Sequence, residues 1–439
     1  MATTPSAPTR EQSKRVVASS LAGTVIEWYE FYIYGTASAL IFGELFFPAA
    51  DPLVGTMLAL SSFALAFLAR PVGAAVFGHF GDRVGRKKLL VLSLGMMGGA
   101  TVLIGFLPTY ETVGVLAPVL LVTLRVIQGI SLGGEYSGAV LMSVEHTPPA
   151  RRGFFASLIN TGASWGLLLA SLVFLALSHL PDDAFHSWGW RVPFWSSAIL
   201  ILIGTAIRVS VDESPEFRAV VAAKQVQKLP LRTVFTEHWR SVALLALSYL
   251  SAGATFYVVT VFSLSYGTHH LGVDRSTTLE LVTGVTVVAI VGVPLFGWLS
   301  DRFERKIIYL AGIAGMAALP WLWFPMLGTA DSLVMFAGFV LIFVPYCAAY
   351  GTMPVFFAQI FPVRVRYSGM AVGYSLGTVV GSGLSPLIAT SLLDVTGSWY
   401  AIAGFMTAFG VVSFLATLAI RDRTATPDSA APALRASTA

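Results

Sequence analysis

The 439 residues are 56% hydrophobic and only 11% charged, with a mean hydropathy of +0.76. A soluble protein carries about 25% charged residues, so a water-soluble fold is excluded and the lipid bilayer is the expected surrounding. The net charge of +4 would suit nucleic acid, but the basic residues sit in short loops between apolar segments, where membrane topology accounts for them and no nucleic-acid partner is expected.

The N-terminal tail, residues 1–16, is polar and lacks an A-x-A-like cleavage site, so the first apolar segment is expected to be a retained helix. A spanning helix needs about 20 mostly apolar residues. Twelve such segments follow, at approximately 17–47, 53–79, 89–107, 114–143, 154–179, 190–210, 241–267, 280–299, 307–327, 331–352, 368–392 and 398–420. The expected architecture is an all-α membrane protein with twelve transmembrane helices in two pseudo-symmetric six-helix bundles. The bundles are 17–210 and 241–421, joined by a polar cytoplasmic linker at 211–240 and followed by a disordered Ala/Pro/Ser/Thr-rich tail at 422–439. The single cysteine, Cys347, excludes an intramolecular disulfide and is read as packing.

Within the first span, the stretch IEWYEF (26–31) sets Glu27 and Glu30 three residues apart on one helix face. An acid is expensive there: aspartate or lysine at a helix centre costs about 2.5–3.5 kcal/mol on the insertion scale. Glu27 lies about ten residues into the expected helix, roughly 15 Å at 1.5 Å per residue, near the midplane of a core about 30 Å thick. Desolvation and mutual repulsion favour the protonated form of at least one of the pair, and such a carboxyl can carry a proton. The alternative is a structural ion pair with a buried arginine.

Arg70, on the second span before Pro71, either snorkels or faces the bundle interior. On the fourth span, Arg125 and Gln128 share a face near mid-span. Glu135 follows Gly133-Gly134 nearer the cytoplasm and belongs either to a charge network there or to the proton path. Asn160, Tyr257 and Tyr350, with Tyr249, Thr255, Tyr346 and Tyr374, either line a cavity or bond across helices. The Gly-rich stretch GTVVGSGLSP (377–386) reads as close packing with a kink at Pro386, and His269-His270 fall in an outer loop.

Lys and Arg set the orientation. With both termini in the cytoplasm, the tails and alternate loops hold 23 of the 27, the opposite side holds Arg191 and Arg275, and Arg70 and Arg125 lie within spans. The halves also repeat. GHFGDRVGRKK (78–88) returns as GWLSDRFERKI (297–307), so Asp82, Arg83, Arg86 and Lys87 reappear 219 residues later as Asp301, Arg302, Arg305 and Lys306. Glu145, Pro148 and Arg152 are echoed by Gln359, Pro362 and Arg366. Paired halves of this kind mark a transporter whose site lies between them near the midplane.

The loop at 78–88 and RVIQG (125–129) resemble signatures of the major facilitator superfamily. IEWYEFYIYGTASALIFGELFFP, FLARPVGAAVFGHFGDRVGRKK, LRVIQGISLGGEYSGA and SWGWRVPF resemble its metabolite:proton symporter family, which includes transporters of shikimate, α-ketoglutarate, citrate, proline and betaine. The resemblance spans essentially the whole chain. Four positions depart from the family pattern: Glu30 for aspartate, Glu304 for glycine, Gln359 for glutamate and Tyr136 for tryptophan. The resemblance implies that Arg125 faces the central cavity and couples to the first helix. There it either holds a substrate carboxylate, releases a glutamate proton by pairing with the carboxylate, or forms a permanent salt bridge.

The cytoplasmic charges Asp82, Arg83, Arg86, Glu145, Arg152, Asp301, Arg302, Arg305 and Arg366 are expected to form a gate. Asp82 and Asp301 are expected to pair with Glu145, Arg152 and Arg366 at other helix ends. Plain positive-inside anchoring is the competing account, and it covers Lys87 and Lys88. The expected function is proton-coupled uptake of a small polar metabolite, an organic acid or zwitterion, by a cell-membrane protein working as a monomer. No cofactor is expected, no G-x-x-x-x-G-K-[ST] loop supports ATP use, and neither a nucleophile nor a metal constellation points to an enzyme. The competing functions are a proton-coupled exporter on the same fold and a metabolite sensor.

Overall fold

A computed structural model describes residues 10–48, 52–177, 180–209 and 230–420, and the described residues contain helices and connections but no strand. Helices satisfy every backbone polar group within one segment, which hydrocarbon demands. The first six spans are α1 (Arg10–Ala37), α2 (Pro52–Val84), α3 (Arg86–Gly105), α4 (Leu116–Glu145), α5 (Arg152–Leu177) and α6 (Val192–Val209). The second six are α7 (Trp239–Tyr257), α8 (Arg275–Leu299), α9 (Arg305–Ala318), α10 (Ser332–Ile360), α11 (Arg366–Thr378) and α12 (Trp399–Ala419). Of the linker at 211–240, residues 230–237 form a short helix and residues 211–229 lie outside the described residues. The tail at 422–439 lies outside them too.

Several expected boundaries shift. α1 is already helical at Arg10, so Glu27 lies seventeen residues into it rather than ten. α10 runs on to Ile360, through Pro345 and Pro354. Arg275 opens α8 instead of sitting in a loop, and His269-His270 close a π turn, Tyr266–His270, rather than an outer loop. The ninth span is bent by 44° where Pro320 begins its outer part, Pro320–Gly328. In α11 the break precedes Pro386. A π turn, Val379–Gly383, interrupts the span, and Pro386 sits at the start of the next helix, Ser385–Thr396, where its missing N–H goes unmissed.

The two halves pack alike. α2 meets α4 as α8 meets α10, α1 meets α5 as α7 meets α11, and α3 meets α6 as α9 meets α12. Between halves, α5 lies against α8 and α2 against α11. The first helix of each half also ends in a π turn, Ser38–Phe42 after α1 and Val258–Phe262 after α7. Such turns are frequent at functional sites.

Glycine sets the closest crossing. A Cβ on Gly133 of α4 would overlap Arg70 O and Ala74 N of α2, and one on Gly73 would overlap Ile130 O of α4. With no hydrophobic drive between helices in lipid, close backbone approach supplies the packing. Gly133→Ala is therefore expected to destabilise the protein by about 3 kcal/mol, the upper end for overpacking. Gly99→Ala, whose Cβ would meet nothing within 4 Å, is the control. Thermal melts of the purified variants decide it: equal melting temperatures would show the crossing tolerates a methyl group.

Candidate functional site

The acids of α1 face inward, into the first half. Glu30 is fully buried, and its Oε2 accepts from the Thr101 hydroxyl on α3 at 3.2 Å. Thr101 Oγ1 in turn accepts from Gln128 Nε2 on α4 at 2.7 Å, and Gln128 Oε1 accepts from Arg125 Nη1 at 3.0 Å. Thr101 has one hydroxyl hydrogen and two acceptors in reach, Glu30 and its own helix's Met97 O at 2.9 Å. Gly98, one helical turn before Thr101, leaves the room: a Cβ there would lie 2.9 Å from Glu30 Oε1. Arg125 is entirely buried, its guanidinium 4.6 Å from the Phe31 ring centre and 4.1 Å from that of Tyr34.

Glu27 lines a crevice with Ser93, Met97, Ser131 and Glu135 that is too narrow for a water molecule. The Ser93 hydroxyl donates to Glu135 Oε2. Glu135 therefore lies beside the α1 acids, packed between helices of the first half, and away from the charges at the helix ends. Its partner lies on a different helix, α3, and that hid the pairing in the sequence. So did the lack of any motif around Ser93 and Thr101. Both residues gain their meaning only from the packing of α3 against α1 and α4.

Arg70 does not snorkel. It is 3% exposed, with the rings of Phe67, Phe31 and Trp28 centred 4.7, 5.5 and 5.7 Å from its guanidinium carbon. Burying a charge this way keeps it from the interface that snorkelling requires. Phe67 touches Tyr257 of the second half, ring centres 5.7 Å apart. Arg70 thus stands at the seam between halves. Beyond it lie Tyr249, whose hydroxyl is 3.1 Å from that of Ser382, and Tyr374, stacked on Tyr136 at 4.1 Å. Asn160 Nδ2 donates to Tyr350 O at 2.5 Å across the seam, and Tyr350 stacks on Tyr346 at 5.1 Å. Tyr32 belongs to this group as well. In the sequence it is one of five aromatic residues in IEWYEFYIYG, with no spacing that sets it apart.

A second layer lies at the face from which α1 and α7 start. Asp301 was expected to pair with Glu145, Arg152 and Arg366; instead its two oxygens accept from Gly153 N at 2.7 Å and Phe154 N at 2.9 Å, in the first turn of α5. The first N–H groups of a helix have no partner within it and carry the positive end of its dipole, so a carboxylate is well placed there. Arg305 Nη2 reaches Asp301 at 3.5 Å within its own half. Arg366 Nη1 meets Glu145 Oε1 at 3.5 Å, joining α11 to α4. Arg152 donates through Nε to Thr147 O at 3.1 Å, and Arg366 repeats that bond to Phe361 O at 3.3 Å. Arg302 lies over Trp298 at 3.8 Å. The side chains of Asp82, Arg83 and Arg86 lie outside the described residues.

Residues 16–234 match a family model described as sugar (and other) transporter, and residues 245–438 one described as Major Facilitator Superfamily. The chain is 41% identical over 385 residues to the inner membrane metabolite transport protein YhjE of Escherichia coli, covering 86% of this chain and 87% of that one. It is 38% identical over 421 residues to the shikimate transporter of Escherichia coli, covering 94% and 95%. The proline/betaine transporter of Escherichia coli is 30% identical over 419 residues, covering 93% and 83%. A solved proton:xylose symporter, XylE, overlays with a TM-score of 0.77 at 18% identity, covering 94% of this chain and 97% of that one, which fixes the fold. Twelve membrane helices in two matched halves, with relatives of this kind along nearly the whole length, make the chain a metabolite transporter of the major facilitator superfamily, in the branch that holds the shikimate and proline/betaine transporters.

Proposed function

We propose that this transporter is a proton-coupled symporter that takes up a small polar metabolite bearing a carboxylate, an organic acid or a zwitterion. It works as a monomer in the cell's inner membrane, by alternating access, with both termini cytoplasmic and no cofactor. The observation that carries this reading is the hydrogen-bonded line from Glu30 through Thr101 and Gln128 to Arg125. It ties an acid of the first half to a buried cation.

When Glu30 is charged, Thr101 donates to it and the line is polarised toward the carboxylate. When Glu30 is protonated, the Thr101 hydrogen returns to Met97 O, and Arg125 no longer feels a negative end. Charge on Arg125 is then available to an anion at the seam. Glu27 and Glu135 neighbour this acid and can relay the proton toward the cytoplasmic face. Arg70, Asn160, Tyr257 and Tyr350 surround the substrate, and the Asp301 and Glu145 contacts hold the cytoplasmic side shut. The orientation rests on the 23 of 27 basic residues on one side.

The test uses proteoliposomes loaded at neutral pH and diluted into acidic medium, with labelled carboxylates and zwitterions outside. Uptake that rises with the inward proton gradient and collapses with a protonophore supports symport. Efflux driven by the same gradient would establish the exporter. Thr101→Val, which keeps the shape but removes the hydroxyl, is expected to lower gradient-driven uptake about tenfold, the effect of one hydrogen bond to a charged group. Thr101→Ser is expected to keep it. Equal initial rates for all three proteins would remove Thr101 from the coupling path.

A further inference from the structure

Arg70 differs from Arg125, the other buried arginine among the described residues, which donates to Gln128. The Nε and Nη2 of Arg70 are buried and have no hydrogen-bond partner among the described residues. Its near neighbours are the three rings of Trp28, Phe31 and Phe67. An arginine held in a membrane interior is costly unless something pairs with it, and ring faces alone leave its planar fork of donors unused. Two hydroxyls flank it in the same condition: Tyr32 and Tyr257 are 8% and 3% exposed, and neither hydroxyl has a partner among the described residues. Arg70 acts electrostatically on both. Of the other seam tyrosines, Tyr249 has the Ser382 hydroxyl at 3.1 Å, and the buried Tyr136 hydroxyl, like those of Tyr32 and Tyr257, has no partner among the described residues.

The rings around Arg70 also touch both tyrosines, Trp28 and Phe31 against Tyr32 and Phe67 against Tyr257, so one guanidinium edge and two phenol donors without acceptors share one neighbourhood at the seam. Resting on the transporter reading above, we infer that Arg70, Tyr32 and Tyr257 are the seat of the substrate's carboxylate, and that the seat selects net-anionic monocarboxylates over zwitterions. The selection follows from charge. The ring faces that would attract an ammonium group are already turned toward Arg70. Arg125 adds a second positive charge that acts on Arg70's surroundings. The nearest acids, Glu27, Glu30 and Glu135, face α3 and α4 inside the first half. A ligand cation beside its own carboxylate would therefore meet two like charges and no acid. A neutral ring or hydroxylated body meets aromatic walls instead.

The experiment is calorimetric titration of the detergent-purified protein with a fixed panel. The panel holds hydroxylated cyclohexene and benzene monocarboxylates, short aliphatic monocarboxylates, the methyl esters of each, and proline and glycine betaine. At least one monocarboxylate is expected to bind, with its ester and both zwitterions at least about tenfold weaker, the effect of losing or opposing one charged hydrogen bond. Arg70→Gln is expected to weaken that acid about 100-fold, Tyr32→Phe and Tyr257→Phe about tenfold each. Arg70→Lys, which keeps the charge but not the fork, is expected to fall between. Size-exclusion profiles show that each variant is folded, and Arg70→Lys carries the test if Arg70→Gln is not. A zwitterion binding as tightly as any acid, no binding by any acid, or unchanged affinity in folded Arg70 variants would each overturn the inference. Its failure is separable from that of symport. A zwitterion accumulated by a pH gradient keeps symport and sinks the seat. An acid bound through Arg70 but not moved by the gradient does the reverse.

Discussion

Glu30→Gln is expected to abolish accumulation against a gradient while leaving substrate exchange close to normal. For one proton per substrate, a difference of one pH unit sustains about a tenfold concentration ratio, because 1.36 kcal/mol is a factor of ten. The variant is expected to bring that ratio to about one. A glutamine at position 30 still offers an oxygen to Thr101, so the packing between α1 and α3 and the Gly98 clearance remain. What it lacks is a site that changes charge. The line to Arg125 then stays in one polarity, and the carrier cycles without reporting the proton gradient. Counterflow of labelled substrate at equal pH on both sides separates loss of coupling from loss of transport. Glu27→Gln in the same assay places the second acid. Full accumulation in both variants would mean that the α1 acids do not carry the proton.

The second large effect is expected at Asp301. Its carboxylate receives two backbone N–H bonds from the start of α5, at 2.7 and 2.9 Å, and these join the second half to the first. A hydrogen bond to a charged group contributes about 1.5–3 kcal/mol, so Asp301→Ala is expected to shift the closed form toward opening at that face by about 3 kcal/mol, on the order of 100-fold. Asp301→Asn keeps one acceptor and is expected to have a smaller effect. The reporter is Ser157→Cys in a Cys347→Ala background. Ser157 is fully buried, a Cβ on Gly297 of α8 would overlap it, and Cys347 is the only native cysteine. A membrane-impermeant maleimide added from that face should label position 157 about 100-fold faster when Asp301 is alanine. An unchanged labelling rate would show that closure rests on Arg366 with Glu145 and on helix packing instead.

Much of this architecture was legible in advance. The repeat of Asp82 to Lys87 at Asp301 to Lys306 identified the two halves. The same halves appear as matched helix pairs and as the equal Arg152 and Arg366 bonds to carbonyls five residues back. Asp301 shows where this reading stopped. The repeat says that an acid ends α8, but its partners are backbone N–H groups of α5, and a backbone donor has no residue identity to recognise. Arg70 is another case. Its place on a span left snorkelling and burial equally open, and the answer lies in Phe67, Phe31 and Trp28, which come from two helices.

Hydropathy, charge bias and the internal repeat determined by themselves that the chain crosses the membrane twelve times in two equivalent bundles. A hydrocarbon core admits little else from segments of that length and polarity. Only the tertiary structure decided which way the acids of α1 face. Glu27 and Glu30 share a side of their helix whatever its rotation, but the rotation is set by packing. Gly162 and Gly166 of α5 press against the backbones of Thr24, Trp28 and Tyr29. That close approach leaves the acids turned toward Thr101 and Ser93, and leaves the seam between the halves to Arg70 and the tyrosines.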